Sequence, residues 1–291
     1  MFDKKTYYYV HTGHRIGLDR FRRAAAILNT LEDEDITLLT SDYRIAQIAR
    51  DFGIQKSVGI DVVRNIPQIS HNGDNLIFDS EEANPLMLED MRDYFSGFVR
   101  ISDDKNDVKA AKEFLVSPYL QGEGICTCIP VDERYFGNFE KSVELTYFFG
   151  DDDYEKDLEK HFDFIEELNP NLQLGFYYFL DYEDILKEKF VNHFEFEEYE
   201  AMIKSTKTLI TASPQAVFDS LAGGGKPVYF QREDYTKDFV PLFENLGVPI
   251  VNNYDKNHLF EIIETIKNRK YEKIERNSNK IANFIKDSLN L

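Results

Sequence analysis

Along this chain, short apolar runs alternate with longer stretches in which apolar residues recur every three or four positions. "YYYV" (7–10) reads as a strand. Leu18, Phe21, Ala24, Ala25, Leu28 and Leu31 then fall on one face of a helix. "DITLLT" (35–40), "NLIFD" (75–79) and "GFVRIS" (97–102) read as strands. "YRIAQIARDFG" (43–53) and "NPLMLEDMRDYF" (84–95) read as helices, the first closing on a glycine as helices commonly do. This β-α-β-α order predicts a parallel, doubly wound sheet.

The stretch 117–141 carries three glycines and two prolines without a clear period, and is read as the passage between two halves. The alternation then restarts. Strands are expected at 143–150, 172–180, 207–213, 227–230 and 248–251. Helices are expected at 155–168, 197–206, 214–225 and 238–247, and a final one from His258 to Leu291. The aromatic run "GFYYFL" (175–180) reads as buried strand, with a sugar-stacking platform as the alternative. The expected fold is α/β: two Rossmann-like halves, 1–137 on the acceptor side and 138–291 on the nucleotide side. Two such halves are expected to enclose a cleft faced by the carboxyl ends of their strands.

At 291 residues and 42% hydrophobic, the chain can build two cores. It has no apolar run of about 18 residues, so no membrane span is expected. The first residues, "MFDKKTYYYV", lack the apolar core of a signal peptide. The two cysteines, in "CTC", are too closely spaced for an ordinary structural disulfide and are read as buried and inert. A cytoplasmic location follows by default. The formal charge of −19 repels nucleic acid, so no nucleic-acid partner is expected. Any phosphate would have to be held by helix termini and a few arginines.

Three strand-to-helix turns carry the candidate chemistry. The first, "HTGHRIGLDRFRR", holds His11, Gly13, His14 and Gly17, then Arg20, Arg22 and Arg23 at a helix start. Cations there oppose the helix dipole, so they need either an anionic ligand or the chain's own carboxylates. Arg22 reads as the more solvent-directed of the three. A histidine beside a glycine at a strand's carboxyl end is placed to act as a general base, or is simply a hydrogen-bonded loop residue. With no third ligand in the turn, no metal is expected. The second turn, "FFGDDD", offers Gly150 for close approach of a ligand, followed by three aspartates suited to capping a helix. The third, "TASPQAVFDSLAGGGKP", offers Ser213 as N-cap, Pro214 at the first helical position and Gln215 and Asp219 beyond it.

Together these turns resemble the GT-B nucleotide-sugar enzymes. The likeness is nearest to the UDP-sugar hydrolase of pseudaminic acid biosynthesis and to related predicted spore-coat and surface-polysaccharide glycosyltransferases. "RIGLDRFRRAAAIL" is similar to that family's Ile-Gly-x-Gly-His-x-x-Arg turn. "FFGDDD" resembles its Gly-Gly-Thr/Ser-Asp turn, and "ITASPQAVFDSLAGGGKP" its Ser-Ala-Gly-Gly-Ser…Glu…Gly-Lys-Pro segment. Gly17, Arg23, Gly150 and Asp153 match. The family's second glycine falls on Asp19, its catalytic histidine on Arg20 and another glycine on Asp151. Asp219 stands for its ribose-binding Glu only if one glycine of "GGG" is extra.

The resemblance implies a nucleotide-sugar-dependent glycosyltransferase or hydrolase of bacterial surface-glycan biosynthesis, taking a UDP-sugar donor and no cofactor. The family's own base is missing, since Arg20 in its place stays protonated; His14, six residues earlier in the same turn, is read as the group that would deprotonate the acceptor. Arg20 and Arg23 would stabilise the leaving diphosphate. Ser213, Gln215 and Asp219 would hold the nucleotide side, and Gly13, Gly17, Arg23, Gly150 and Asp153 would also bind substrate. Because the phosphate-facing turns are altered, the alternative is a non-catalytic GT-B-like descendant that binds a different ligand or a protein partner.

Overall fold

The computed structural model describes residues 4–82, 84–252 and 254–291. Contacts divide the chain into two compact units. One comprises Met1–Gly13, Arg20–Asp132 and Asn277–Leu291; the other comprises His14–Asp19 and Glu133–Arg276. Compared with a division at 137/138, the final helix belongs with the first unit and the short segment 14–19 with the second.

The first unit is a seven-stranded parallel sheet. Its strands are β1 (Thr6–Val10), β2 (Ile36–Thr40), β3 (Ser57–Gly59), β4 (Asn75–Asp79), β5 (Gly97–Ile101), β6 (Phe114–Ser117) and β7 (Ile125–Thr127). They lie in the order β3-β2-β1-β4-β5-β6-β7. Helices α1 (Asp19–Asn29), α2 (Tyr43–Ile48), α3 (Ile66–Ile69) and α4 (Pro85–Tyr94) connect the first five strands. β1 and β4 are buried throughout, which is why they read as unbroken apolar runs. Tyr9, Leu39, Ile66, Leu76, Phe78 and Phe98 share one core. The strand order reverses between β1 and β4, where Val10 pairs with Asp79. In a sheet of this kind ligands bind outside the carboxyl ends at that point.

The second unit is a six-stranded parallel sheet of β8 (Val143–Phe148), β9 (Asn171–Gln173), β10 (His193–Phe194), β11 (Thr206–Thr211), β12 (Lys226–Gln231) and β13 (Ile250–Asn252). Its order is β10-β9-β8-β11-β12-β13. Helices α5 (Phe162–Leu168), α6 (Leu180–Lys189), α7 (Tyr199–Ser205), α8 (Pro214–Ala222), α9 (Val240–Asn245) and α10 (Lys256–Thr265) complete it. α11 (Ser278–Leu289) packs on β5 and β7 of the first unit. The order reverses between β8 and β11, whose ends Phe148 and Thr211 are paired.

Four expectations are corrected. The strand at 172–180 stops at Gln173, and α6 begins at Leu180. The backbone turns between them, because Gly175 abuts the Gly150 carbonyl, within 2.5 Å of where its own Cβ would stand, and Tyr177 N–H bonds the Asp151 carbonyl. The passage 117–141 is not wholly irregular: β7 lies in it as the outermost strand of the first sheet. The final helix is two helices, α10 and α11, separated by a non-helical stretch from Arg269 to Asn277. Arg22 is not solvent-directed but 6% exposed, with its guanidinium 5.9 Å from the Phe52 ring centre.

Candidate functional site

In the second unit, the turn after β8 and the 14–19 segment come together. Gly17 holds φ +74° and Gly150 φ +124°, conformations that favour glycine. The Tyr235 hydroxyl packs against both, 3.4 and 3.7 Å from where a Cβ would stand. Arg15 also takes a left-handed φ, +67°, a strained state for a residue with a side chain. Its guanidinium pairs with Glu155 at 2.7 Å and lies over the Tyr154 ring.

This strained turn aims His14. The ring stacks on Phe179, with centroids 5.5 Å apart, and meets Tyr177 and Tyr154 at 4.9 and 5.9 Å. Its Nδ1 is buried and faces Oδ1 of Asp152 at 3.5 Å, while the side chain as a whole is 35% exposed. Asp152 is 1% exposed. The two atoms approach without forming a hydrogen bond; a proton on Nδ1, drawn to this carboxylate, would leave the lone pair on Nε2 to accept a proton from a substrate hydroxyl or water. Asp152 was not among the residues expected to act, although the triple-aspartate run was visible.

Asp153 is a structural acceptor. It takes hydrogen bonds from the N–H groups of Asp157 (2.7 Å) and Leu158 (3.0 Å) and from the Tyr182 hydroxyl (2.6 Å). Burial pushes its carboxyl above the ordinary range. Ser213 caps α8 by accepting from Ala216 N–H, and its hydroxyl donates to the Asp19 carboxylate. Asp219, 1% exposed, accepts from Gln215 Nε2 and Tyr199 Oη, both at 2.9 Å. Arg232, at the end of β12, was missed in the sequence. It is 3% exposed, binds Asp234 through Nε and Nη2 and donates from Nη1 to the Asp152 carbonyl at 2.6 Å. A cavity of about 500 Å³ lined by Gln231, Arg232, Glu233, Lys237 and Asn252 opens beside it.

The first unit has its own charged cluster at the carboxyl ends of β1 and β4. Arg23 grips Asp79 through Nε (3.0 Å) and Nη2 (2.6 Å), and reaches Asp103 through Nη1 at 2.6 Å. Tyr8 Oη also donates to Asp79, at 3.1 Å. Arg20 pairs with Glu81 at 2.9 Å. Arg20 and Arg23, at the start of α1, are therefore answered by carboxylates. His11 faces Glu81 and Glu82 at 3.8 and 3.9 Å, and burial lowers its pKa. Gly13, Arg20 and Arg23 belong to this unit; His14, Gly17, Gly150, Asp153, Ser213, Gln215 and Asp219 belong to the other.

Among the described residues no group of three His, Cys, Asp or Glu side chains could hold a metal ion. Nor is any helix among them long and apolar enough to cross a membrane.

No family model matches the chain, and no curated protein does. Solved structures do. The S. aureus MnaA–UDP co-structure superposes with a TM-score of 0.66 at 11% identity, covering 99% of this chain and 97% of that one. The spinosyn rhamnosyltransferase SpnG, complexed with thymidine diphosphate, gives 0.60 at 9% identity, covering 98% and 96%. Acinetobacter baumannii MurG gives 0.54 at 10% identity, covering 97% and 99%. At such identities the likeness is one of fold: two parallel-sheet, Rossmann-like halves of the GT-B kind.

Proposed function

We propose that this chain binds a nucleotide-sugar, a UDP-sugar first among them, at the carboxyl ends of β8 and β11, and transfers or hydrolyses the sugar. The observation that carries this reading is the His14–Asp152 pair beside Gly150, where the strand order reverses. His14 takes the proton of the attacking hydroxyl or water. Asp152 orients the ring and stabilises the imidazolium. The half-exposed Phe179 and Tyr154 offer aromatic faces to a sugar ring. Ser213 and Gln215, at the start of α8, are proposed on the nucleotide side, with Asp219 holding Gln215 in place. Arg20 is the proposed phosphate- or carboxylate-binding group of the first unit. UDP and thymidine diphosphate in the MnaA and SpnG structures support a nucleotide ligand by analogy of fold. A place in surface-glycan biosynthesis is proposed on the sequence resemblance alone, and a cytoplasmic location on the cysteine pattern.

A second reading has its own observation. The N-cap hydroxyl of α8 is engaged by Asp19, and Arg232 by Asp234. These contacts favour a non-catalytic descendant that binds a different ligand. A thermal-shift screen against UDP, GDP, CMP and UDP-sugars, with and without Mg²⁺, separates the two, because a ligand of the native state raises the melting temperature. A shift with one nucleotide, followed by sugar release or transfer that His14→Ala abolishes, supports the enzyme. No shift with any at millimolar concentration supports the non-catalytic reading.

A further inference from the structure

We propose that Cys126 and Cys128 form a peroxide-sensitive dithiol that closes reversibly to a disulfide. Their sulfurs lie 3.5 Å apart, and the residues are only 3% and 6% exposed. Cys126 lies in β7 and Cys128 one residue past its end, where its N–H still bonds the Ser117 carbonyl of β6, so the alternate-residue spacing of a strand brings the thiols together on one face. In extended backbone their Cα atoms stand about 6.7 Å apart, near the upper limit that a disulfide spans. Closure therefore needs a crimp at Thr127. β7 can accept one: it is three residues long, outermost in its sheet and paired only with β6. Lys280 Nζ donates to the Thr127 carbonyl at 2.6 Å, which places a cation at the crimp.

The contact between the sulfurs lowers the Cys126 thiol and raises that of Cys128, so Cys126 ionises first. Its thiolate attacks one oxygen of hydrogen peroxide, a reagent small enough for a site this closed. The O–O bond breaks, hydroxide leaves and is protonated to water, and Cys126 becomes a sulfenic acid. The Cys128 sulfur then attacks that of Cys126. The S–O bond breaks, and the second water leaves with the Cys128 proton. The two thiols supply two electrons, and peroxide is reduced to two waters. A disulfide of this short span is strained and is readily reduced by a thiol. The pair lies just before Asp132, where the chain leaves the first unit.

The test is to expose the native protein to hydrogen peroxide, remove the peroxide with catalase and denature in an alkylating reagent. The expected product has lost two hydrogens, takes no alkyl group, and recovers both thiols with dithiothreitol. In Cys128→Ser the reaction should stop at a sulfenic acid on Cys126 that dimedone traps. Full alkylation of both cysteines after peroxide would overturn the proposal, as would disulfides formed only between chains or direct passage to sulfinic acid. If Cys128→Ser does not fold, the native protein alone decides.

Discussion

The hydroxyl of Ser213 donates a hydrogen bond to the carboxylate of Asp19, 194 residues away in sequence. Ser213 is also the N-cap of α8. A carboxylate of the chain thus lies beside the positive end of that helix, the position that would draw a phosphate. Asp19→Asn removes the charge and keeps a hydrogen-bonding side chain. UDP, if it binds there, should bind about fivefold more tightly, matching a helix-end charge effect of about 1 kcal/mol. Isothermal titration of both proteins with UDP measures this. Equal affinities would place the diphosphate away from α8.

His14 and Asp152 should act as a pair. His14→Ala is expected to lower kcat on a UDP-sugar by about 10²–10⁴-fold, the range for loss of a general base. Asp152→Asn should lower it as well while leaving the ring in place. In the double variant the losses should be far from additive, because both substitutions disable the same proton transfer. Steady-state rates of the four proteins settle this, and fully additive effects would separate the residues.

The Arg23–Asp79 pair is buried, with Asp79 1% and Arg23 7% exposed. Asp79→Ala leaves the guanidinium with Asp103 and strands the Tyr8 hydroxyl. Breaking such a pair typically costs about 3–5 kcal/mol. Urea unfolding should show a loss of that order. A change under about 1 kcal/mol would mean that Asp103 alone suffices.

His161 gives the second unit a pH dependence. It is fully buried against Phe149, Phe230 and Tyr254, and burial lowers its pKa to about 3. The unfolded value is about 6.5, so between these limits the unfolded chain binds the proton and the native one does not. The stabilising contribution of the neutral ring is complete above about pH 6.5 and is lost as pH falls toward 3, by up to roughly 5 kcal/mol. His161→Gln, which still offers an acceptor to the Tyr147 hydroxyl, should be less stable at neutral pH but lose less on acidification. Parallel slopes for the two proteins between pH 7 and pH 4 would show that His161 does not carry the effect.

The sequence by itself determined the architecture. The strands at 7–10 and 75–79 are buried throughout, those at 143–148 and 207–211 over their carboxyl-terminal parts, and local pattern suffices to place them. It also exposed the three strand-to-helix turns, because glycine, proline, serine and aspartate mark such turns chemically. Short edge strands such as β3 and β7 escaped, since three residues carry too little periodicity to detect. The run 174–180 misled because Tyr177 and Tyr178 are buried by a turn packed on Gly150 rather than by a sheet, while Phe179 stays exposed. Only the tertiary structure decided which charges meet. Arg23 looked available until Asp79 and Asp103 closed on it, and Asp152 looked like one of three caps until His14 turned toward it. Ser213 read as an N-cap beside a free helix start until the carboxylate of Asp19 closed on its hydroxyl. Helical and strand periods are properties of neighbours in sequence. Ion pairs join residues far apart in the chain, so their partners appear only once the sheets have formed.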